Sequence, residues 1–347
     1  KTLGHRHLKT RTQKKCNKSI FFIPTTETEI IRTAQNLKLK NSSGHDNISS
    51  RIVKESIHLI AVPLCHIFNL SLSSGVIPND FKIGKVVPVF KKGDHHLFTN
   101  YRPITLLPCF SKLLEKIVYS RVLSHLNKYS LLIDSQYGFR ANHSCDHALM
   151  DLHDFLTHNI NKNLHSFGIF LDLSKAFDLI DHSILLTKLS YFGIRGIPLK
   201  WFQNYLSDRN QFISYKSSFS SLSKIYYGVP QGSILGPLLF LLYINDLCEC
   251  STVLRFILFA DDTTLVASHE HFDSLVNLTN RELDSVANWF IANELIINNS
   301  KTNVLYFSKR SISKNVSLTK LFIKDCQLNF SKSVRFLGIT LDDALKY

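Results

Sequence analysis

Two apolar, β-rich runs separated by only two residues constrain the fold of this chain more than any other feature. Residues 253–260 and 263–267 are rich in β-branched, aromatic and other apolar side chains, and only Asp261 and Asp262 lie between them. A two-residue connection is typical of a tight β-hairpin, so the runs are predicted to pair as antiparallel strands. The sequence therefore predicts an antiparallel sheet with two adjacent carboxylates at a hairpin tip.

A third aspartate, Asp172, ends another apolar run at residues 167–171, which is predicted to be a buried strand. If that strand lies beside the hairpin, the three carboxylates meet at one end of one sheet. Clustered carboxylate oxygens repel one another and suit Mg²⁺, a hard cation that binds through a few carboxylates. An isolated Asp-Asp pair in a turn is more often only favourable turn chemistry. The metal site is therefore a hypothesis that the surrounding sequence has to support.

The composition indicates a globular protein with a polyanionic partner. The 347 residues are 44% hydrophobic, and 41 Lys and Arg against 27 acidic residues give a formal charge of +14. An excess of basic residues spread along the chain favours nucleic acid as the partner, although a basic surface can also serve solubility alone. The most apolar stretch, residues 234–244, is too short to span a bilayer. We therefore expect an intracellular protein without a membrane partner.

Hydrophobic periodicity predicts helices and strands in an α+β order. Residues 1 to about 24 are basic and polar and are predicted to form a flexible arm or the end of an upstream linker. The helices are predicted near residues 28–39, 49–73 with an interruption at Pro63, 106–126, 144–159, 183–192, 238–247 and 272–291. The strands are predicted near residues 85–90, 167–171, 253–260, 263–267 and 303–307, with a last hairpin at 334–341.

The segments around the aspartates resemble motifs of reverse transcriptases, and more closely those of jockey-like non-LTR retrotransposons. FADD at 259–262 matches the family's metal-binding hairpin, and FLDLSKAFD at 170–178 matches the motif that carries the other aspartate. The further matches, in the family's order, are YRPI at 101–104, QYGFR at 136–140, GVPQGSILGP at 228–237, NNSKT at 298–302 and FLG at 336–338. One peripheral turn departs from the family, with GHDNI at 44–48 in place of Gly-Pro-Asp-Gly-Ile.

The resemblance implies an α+β right-hand polymerase fold with fingers and an antiparallel-sheet palm, and with the thumb largely missing. Residues 1–70 would be an N-terminal arm and helical extension, and residues 71–342 the reverse transcriptase domain. Within it, fingers are expected at about 71–160, palm at about 161–310 and the start of the palm–thumb connection at about 311–342, before a C-terminal end at 343–347. Without a thumb, we expect a weak grip on duplex and poor processivity.

The implied activity is RNA-directed DNA polymerisation, the transfer of dNTPs onto a primer 3′-hydroxyl with two Mg²⁺ ions, or Mn²⁺ in their place. RNA template, DNA primer and dNTPs would be the partners, and the nucleus the place of action during integration. One alternative is a decayed element that binds nucleic acid without catalysis. Another is an RNA-copying or intron-encoded polymerase of the same fold, which the bulky Phe177 disfavours.

The resemblance also implies roles for individual residues. Asp172 and Asp261 would bridge both ions, with Asp262 and the Leu173 carbonyl as supporting ligands, and Lys301 would protonate the pyrophosphate. The dNTP would be bound by Lys91, Lys92, Arg102, Phe177, Gln231 and Gly232, with Phe177 beneath the sugar. Template and primer would meet Phe139, Arg140, Pro230, Phe336, Leu337 and Gly338. The other interpretations are a solvated turn for Lys91 and Lys92, a surface position for Lys301 and core packing for Phe177.

Overall fold

The structure is a computed structural model that describes residues 15–309, 319–343 and 345. The described residues form two compact units that alternate along the chain. The carboxylate unit comprises the described parts of residues 133–176 and 244–347, and the helix-rich unit comprises residues 15–132 and 177–243. The first part of the predicted basic arm and part of the predicted palm–thumb connection lie outside the described residues.

The helices and strands of the described residues are numbered in chain order. The helices are α1 (Glu27–Gln35), α2 (Ser50–Ser74), α3 (Cys109–Lys128), α4 (Cys145–Asn161), α5 (His182–Tyr191), α6 (Ile197–Leu206), α7 (Leu235–Ile244) and α8 (Phe272–Ala292). The strands are β1 (Ile83–Phe90), β2 (Tyr101–Leu106), β3 (His165–Leu171), β4 (Leu173–Ser174), β5 (Arg209–Tyr215), β6 (Ser218–Phe219), β7 (Ser223–Ile225), β8 (Arg255–Phe259), β9 (Asp262–His269), β10 (Ile296–Ile297), β11 (Asn303–Phe307), β12 (Phe322–Ile323), β13 (Cys326–Gln327), β14 (Asn329–Phe330), β15 (Ser333–Phe336) and β16 (Ile339–Asp342).

The carboxylate unit is built on a five-stranded sheet in the order β14-β11-β3-β9-β8. The pairings β11–β3, β3–β9 and β8–β9 are antiparallel, as the sequence predicts, and β11–β14 is parallel. Central strand β3 is buried along its whole length, which explains why residues 167–171 are continuously apolar instead of alternating. The predicted last hairpin is confirmed by the pairing of β15 with β16.

Helices α4 and α8 pack against this sheet. Ala148, Leu152 and Leu156 of α4 recur every fourth residue, and all three are fully buried in one cluster with sheet residues such as Ile257 and Leu305. Residues four apart lie on the same helix face, so the periodicity of α4 supplies the apolar stripe that covers the sheet.

The helix-rich unit combines six of the described helices with a second sheet. In that sheet β1 pairs with β2 antiparallel and with β5 parallel, and β5 also pairs with β6 and β7. Sequence periodicity predicted α1, α3, α5, α7 and β1 but did not indicate β2, α6 or β5. Polar residues interrupt β5, and proline lies within β2, so neither shows the alternation on which strand prediction depends.

Helix α2 is continuous, which corrects the interruption predicted at Pro63. A proline inside a helix leaves the carbonyl four residues earlier without its partner. Here that carbonyl belongs to Leu59, which is 84% exposed, so water can satisfy it. By length and composition alone α2 could cross a bilayer, but one such helix is weak grounds for a membrane span. It packs against α1, α3 and α6.

Candidate active site

The carboxylate hairpin is confirmed, but its turn is one residue earlier than predicted. Phe259 of β8 pairs with Asp262 of β9, so Ala260 and Asp261 form the two-residue turn and Asp262 begins the return strand. Ala260 has a φ of +55°, in the left-handed region that two-residue hairpin turns require at their first position. The two aspartates therefore leave the hairpin from different positions, one at its tip and one at the start of a strand.

Asp172 lies at the same end of the sheet. Leu171 of β3 pairs with Thr263 of β9, so the antiparallel register, continued by one residue, sets Asp172 opposite Asp262. Directly opposed residues in antiparallel strands have Cα atoms about 4.5–5.5 Å apart. The sheet thus brings the strand-end aspartate and the hairpin pair together, as the sequence predicted.

The NNSKT segment folds over Asp172 and holds its backbone. The Asn298 N–H donates to the Asp172 carbonyl at 2.8 Å, and the Thr302 hydroxyl lies 3.5 Å from the Asp172 N–H. Lys301 Nζ is 3.7 Å from Asp172 Oδ2, and the two side chains are 68% and 40% exposed. An ion pair this exposed adds little to stability. The ion pair matters because it holds the Lys301 ammonium beside Asp172, a candidate metal ligand.

The electrostatics of the three aspartates reflect their proximity. Removal of water around the carboxyl group, then the negative charges of Asp261 and Asp172, raise the pKa of Asp262 to about 6. Carboxylates that share a site resist ionising together, and a bound cation reverses that penalty. Asp262 keeps substantial exposure to solvent, so its proton and a cation could exchange with bulk water.

The donor set fits a hard divalent cation, although its side chains are not gathered into a finished cage. Within the described ranges, no three His, Cys, Asp or Glu side chains lie close enough together to form a preassembled metal site. Three carboxylates at one sheet end are nevertheless the oxygen ligands that Mg²⁺ prefers. Leu173 follows Asp172 directly and pairs with Ile297 in the short β4–β10 ladder.

The predicted nucleotide loop, residues 228–233, is anchored within the helix-rich unit. The Gly228 and Val229 N–H groups donate to the carbonyls of Ile180 and Phe177 at 2.8 and 2.9 Å. The Gln231 side chain donates to Asp178 Oδ1 at 2.9 Å. The loop that carries Gln231 and Gly232 is thereby held against the segment that carries Phe177. The Phe177 ring stacks on Phe240 with ring centroids 4.7 Å apart.

The same loop contacts the strand that carries Arg102. The Gln231 carbonyl accepts from the Thr105 N–H at 2.7 Å, and a side chain at Gly232 would meet the Thr105 carbonyl. Arg102 is exposed on β2, and Lys91 and Lys92 are exposed in the turn after β1, the paired strand. All six residues predicted to bind the dNTP therefore lie in the helix-rich unit.

The residues predicted to bind template and primer have very different environments. Phe139 is 51% exposed, whereas Phe336 is 4% exposed and packs edge-on against Phe170. Arg140 donates to the Ile133 and Gln136 carbonyls at 2.6 and 3.2 Å, so its guanidinium supports its own loop. Pro230 is buried, and Leu337 and Gly338 form the β15–β16 turn. The described contacts thus give Phe336 and Arg140 structural partners, and the ring of Phe139 is about half exposed.

Two buried polar residues that the sequence analysis passed over contact the predicted motifs. Gln136 is 2% exposed and accepts the Ala260 N–H in the carboxylate unit. Glu115 is 1% exposed and accepts the N–H groups of Ile234 and Leu235, just after the nucleotide loop. A glutamate within a helical pattern is usually solvated, so sequence alone gave no signal for Glu115. Gln136 belongs to the QYGFR motif, but the resemblance implied no role for this residue.

Carboxylates at one end of an antiparallel sheet are an arrangement that can bind a divalent cation through oxygen ligands. Comparison with known proteins specifies the family. Residues 89–341 match the model of the family described as reverse transcriptase (RNA-dependent DNA polymerase). The chain therefore belongs to the reverse transcriptase family.

Individual relatives agree with the family and with the predicted retrotransposon group. The chain is 27% identical over 339 residues to the probable RNA-directed DNA polymerase from transposon BS of Drosophila melanogaster, with 93% of this chain and 36% of that protein covered. It is 27% identical over 335 residues to the RNA-directed DNA polymerase from mobile element jockey of the same species, covering 92% and 35%. The chain thus spans about a third of the length of these relatives.

Proposed function

We propose that this chain is the polymerase core of a non-LTR retrotransposon and adds dNTPs to the 3′-hydroxyl of a DNA primer on an RNA template. The observation that carries the proposal is the β3–β9 register, which sets Asp172 opposite Asp262 at the tip of the carboxylate hairpin. Family membership supports it, because the relatives are named as RNA-directed DNA polymerases of mobile elements. We assign fingers to about 71–160, palm to about 161–310 and the start of the thumb connection to about 311–342.

Asp172 and Asp261 are proposed to hold two Mg²⁺ ions, or Mn²⁺ in their place, with Asp262 and the Leu173 carbonyl as supporting ligands. Bound there, the ions would activate the primer hydroxyl and stabilise charge on the leaving pyrophosphate. The elevated pKa of Asp262 supports a role at a cation, since cation binding relieves the repulsion that raises it. Lys301 is proposed to deliver a proton to a departing phosphate oxygen, and its exposed ammonium beside Asp172 supports that role.

Residues of the helix-rich unit are proposed to bind the incoming nucleotide. Arg102 would contact the triphosphate through its planar guanidinium, with Lys91 and Lys92 as further positive charges. Gln231 and Gly232 would approach the base, because their loop is held by backbone hydrogen bonds and carries a glycine at φ +124°. Phe177 would exclude a 2′-hydroxyl. Phe139 is the best supported template contact, since its ring is exposed.

Primer extension on an RNA template with Mg²⁺ tests the proposal. Asp261→Asn is expected to lower extension about a thousandfold or more, since cation stabilisation of developing charge supplies several kcal/mol. Asp284→Asn, which changes an exposed aspartate of α8 in the same unit, is the matched control and should retain activity.

Extension that is equal in Asp261→Asn and wild type would contradict the assignment of the metal site. Wild-type protein that binds primer–template without extending it would favour the alternative of a decayed, binding-only element. Comparison of RNA and DNA templates and of deoxy- and ribonucleotides distinguishes reverse transcription from RNA copying.

The place of action is proposed to be the nucleus, during integration of the element. The proposal rests on the kind of element to which the relatives belong and on the excess of basic residues, which suits contact with nucleic acid. Fractionation of expressing cells, with the retrotransposon RNA followed alongside, tests it. Protein that stays in the cytoplasm while new insertions accumulate would contradict it.

A further inference from the structure

Residues 135–137, around the start of the QYGFR segment, lie beside strand β8 of the carboxylate hairpin. The Leu258 N–H donates to the Ser135 carbonyl and the Tyr137 N–H donates to the Leu258 carbonyl, both at 2.8 Å. Gln136 and Leu258 form an isolated parallel bridge. These bonds fix the backbone of Gln136 next to Leu258 of β8. Leu258 lies two residues before Ala260, where the turn that carries Asp261 begins.

The Gln136 side chain binds the turn itself. Its Oε1 accepts the N–H of Ala260 at 3.0 Å and the N–H of Gly138 at 2.8 Å. Gln136 is 2% exposed, and its Nε2 has no hydrogen-bond partner among the described residues. The opposite amide orientation would set NH₂ against two N–H donors, so the oxygen is held in place. Burying the unsatisfied NH₂ group costs free energy, and the two hydrogen bonds that the oxygen accepts offset that cost.

Two further features concentrate on the same peptide. Ala260 has a φ of +55°, which is strained for a residue with a Cβ and must be stabilised by its surroundings. A Cβ at Gly138 would overlap the Ala260 backbone nitrogen, so this close approach requires glycine. The turn conformation is therefore determined by contacts from outside the hairpin as well as by the hairpin's own ladder.

We propose that Gln136 is a positioning residue for the catalytic carboxylates, because its side-chain oxygen holds the Ala260 peptide and so sets the directions in which Asp261 and Asp262 leave the hairpin. The proposal rests on the proposed function of these aspartates as metal ligands. Ligand placement matters on a scale of about 0.5 Å, so a turn free to change its φ would weaken the site without removing a ligand.

The first test measures cation binding without nucleotide or nucleic acid. Mn²⁺ binding to wild type, Gln136→Met and Gln136→Glu is followed by electron paramagnetic resonance. Methionine has similar length but only a weakly accepting sulfur in place of the amide oxygen, and we expect about tenfold weaker Mn²⁺ binding, as for other residues that support metal ligands. Glutamate keeps an oxygen for the two N–H groups and should retain most of the binding. Gln136→Met with wild-type Mn²⁺ affinity would overturn the proposal.

A control separates positioning from loss of stability. Asn159 is 4% exposed and donates to Ser268 Oγ at 2.8 Å. Ser268 pairs with Ser166, five residue pairs along β3–β9 from Leu171 and Thr263, a distance of roughly 17 Å. Asn159→Leu should lower the thermal midpoint and leave Mn²⁺ affinity unchanged. An equal loss of affinity in both variants would reduce Gln136 to a stabilising role.

Primer extension supplies a second readout. Gln136→Met should lower kcat and raise the Mg²⁺ concentration for half-maximal rate, with the KM for dNTP unchanged, because the nucleotide contacts are intact. If Gln136→Met does not fold, the test uses backbone deuterium exchange at residues 258–262 of Gln136→Glu. Because glutamate keeps the acceptor oxygen, these amides are expected to exchange as slowly as in wild type. Fast exchange there would contradict the proposal.

The outcomes for the two proposals are distinct. Wild type that binds Mn²⁺ through its aspartates but extends no primer refutes the polymerase function and leaves the positioning role standing. Wild type that extends primers while folded Gln136→Met binds Mn²⁺ normally refutes only the positioning role. Wild type without saturable Mn²⁺ binding refutes both.

Discussion

At the scale of single residues, the carboxylate cluster is a balance of like charges that a cation would relieve. Asp262 carries the effect, with a pKa raised to about 6. An unfolded aspartate has a pKa of about 3.9. Between these values the folded chain binds more protons than the unfolded chain, so its stability falls as pH rises. The cluster therefore costs the metal-free protein stability at neutral pH.

Replacement of Asp262 tests this balance. In EDTA, Asp262→Asn is expected to be more stable than wild type at pH 7, and the difference should shrink as pH falls from 7 to 5, because wild-type Asp262 becomes protonated. Urea denaturation at each pH measures it, with Asp284→Asn as an exposed control in the same unit. Parallel stability curves for wild type and Asp262→Asn would contradict the raised pKa.

Phe177 is the residue on which sugar selection is predicted to depend. Its ring stacks on Phe240 at 4.7 Å, so packing is an alternative reason for a phenylalanine there. Phe177→Val should increase ribonucleotide incorporation relative to deoxynucleotide, because the steric block is removed. The measurement is the ratio of kcat/KM for dNTP and NTP in primer extension.

Phe240→Leu is the matched control for the sugar prediction. It weakens the same ring stack from the other side and should leave sugar discrimination unchanged. If both variants change discrimination equally, Phe177 acts through packing and not as a steric gate.

At the scale of elements, the start of α7 depends on a residue from α3. Glu115 is fully buried and its Oε2 accepts the Ile234 and Leu235 N–H groups at 2.7 and 3.1 Å. Burial raises its pKa, while the charge of Arg209 and these two hydrogen bonds act in the opposite direction. The first turn of a helix has unpaired N–H groups that need such an acceptor. Glu115 thereby holds the nucleotide loop at its C-terminal end.

Two substitutions at Glu115 separate the acceptor from the charge. Glu115→Gln keeps an oxygen for both N–H groups and should be tolerated. Both variants lose the same negative charge near Arg209, but Glu115→Ala also strands the two N–H groups and should destabilise by about 1–3 kcal/mol more than Glu115→Gln. Chemical denaturation measures both. Equal losses in the two variants would mean that the charge, and not the acceptor, matters.

At the scale of the whole molecule, the formal charge of +14 predicts how the protein binds nucleic acid. Each neutralised phosphate releases counterions, so affinity for single-stranded RNA should fall with salt at a slope near −0.7 per contact. Fluorescence anisotropy from about 50 to 200 mM KCl measures the slope. The double variant Lys91→Gln, Lys92→Gln should reduce its magnitude by about 1–2. Salt-independent binding would contradict an electrostatic interface.

Local chemistry made several features readable from the chain alone. Only two residues separate the two β-rich runs, and a connection this short can join two strands only as a tight hairpin. Apolar periodicity determined helices such as α4 and α8, because burial of one face requires residues four apart. The three aspartates were identified because the motifs around them match those of reverse transcriptases in the same order, whereas an acidic pair in a turn is by itself more often only turn chemistry.

Tertiary structure decided what depends on contacts between distant residues. The one-residue shift of the hairpin turn and the placement of Asp172 opposite Asp262 follow from strand register, which packing sets across about 90 residues of sequence. Gln136 and Glu115 acquire roles only because folding buries them against N–H groups more than 100 residues away. The chain's amino acids specify its carboxylates, but only the packed sheet determines which backbone groups hold them in place.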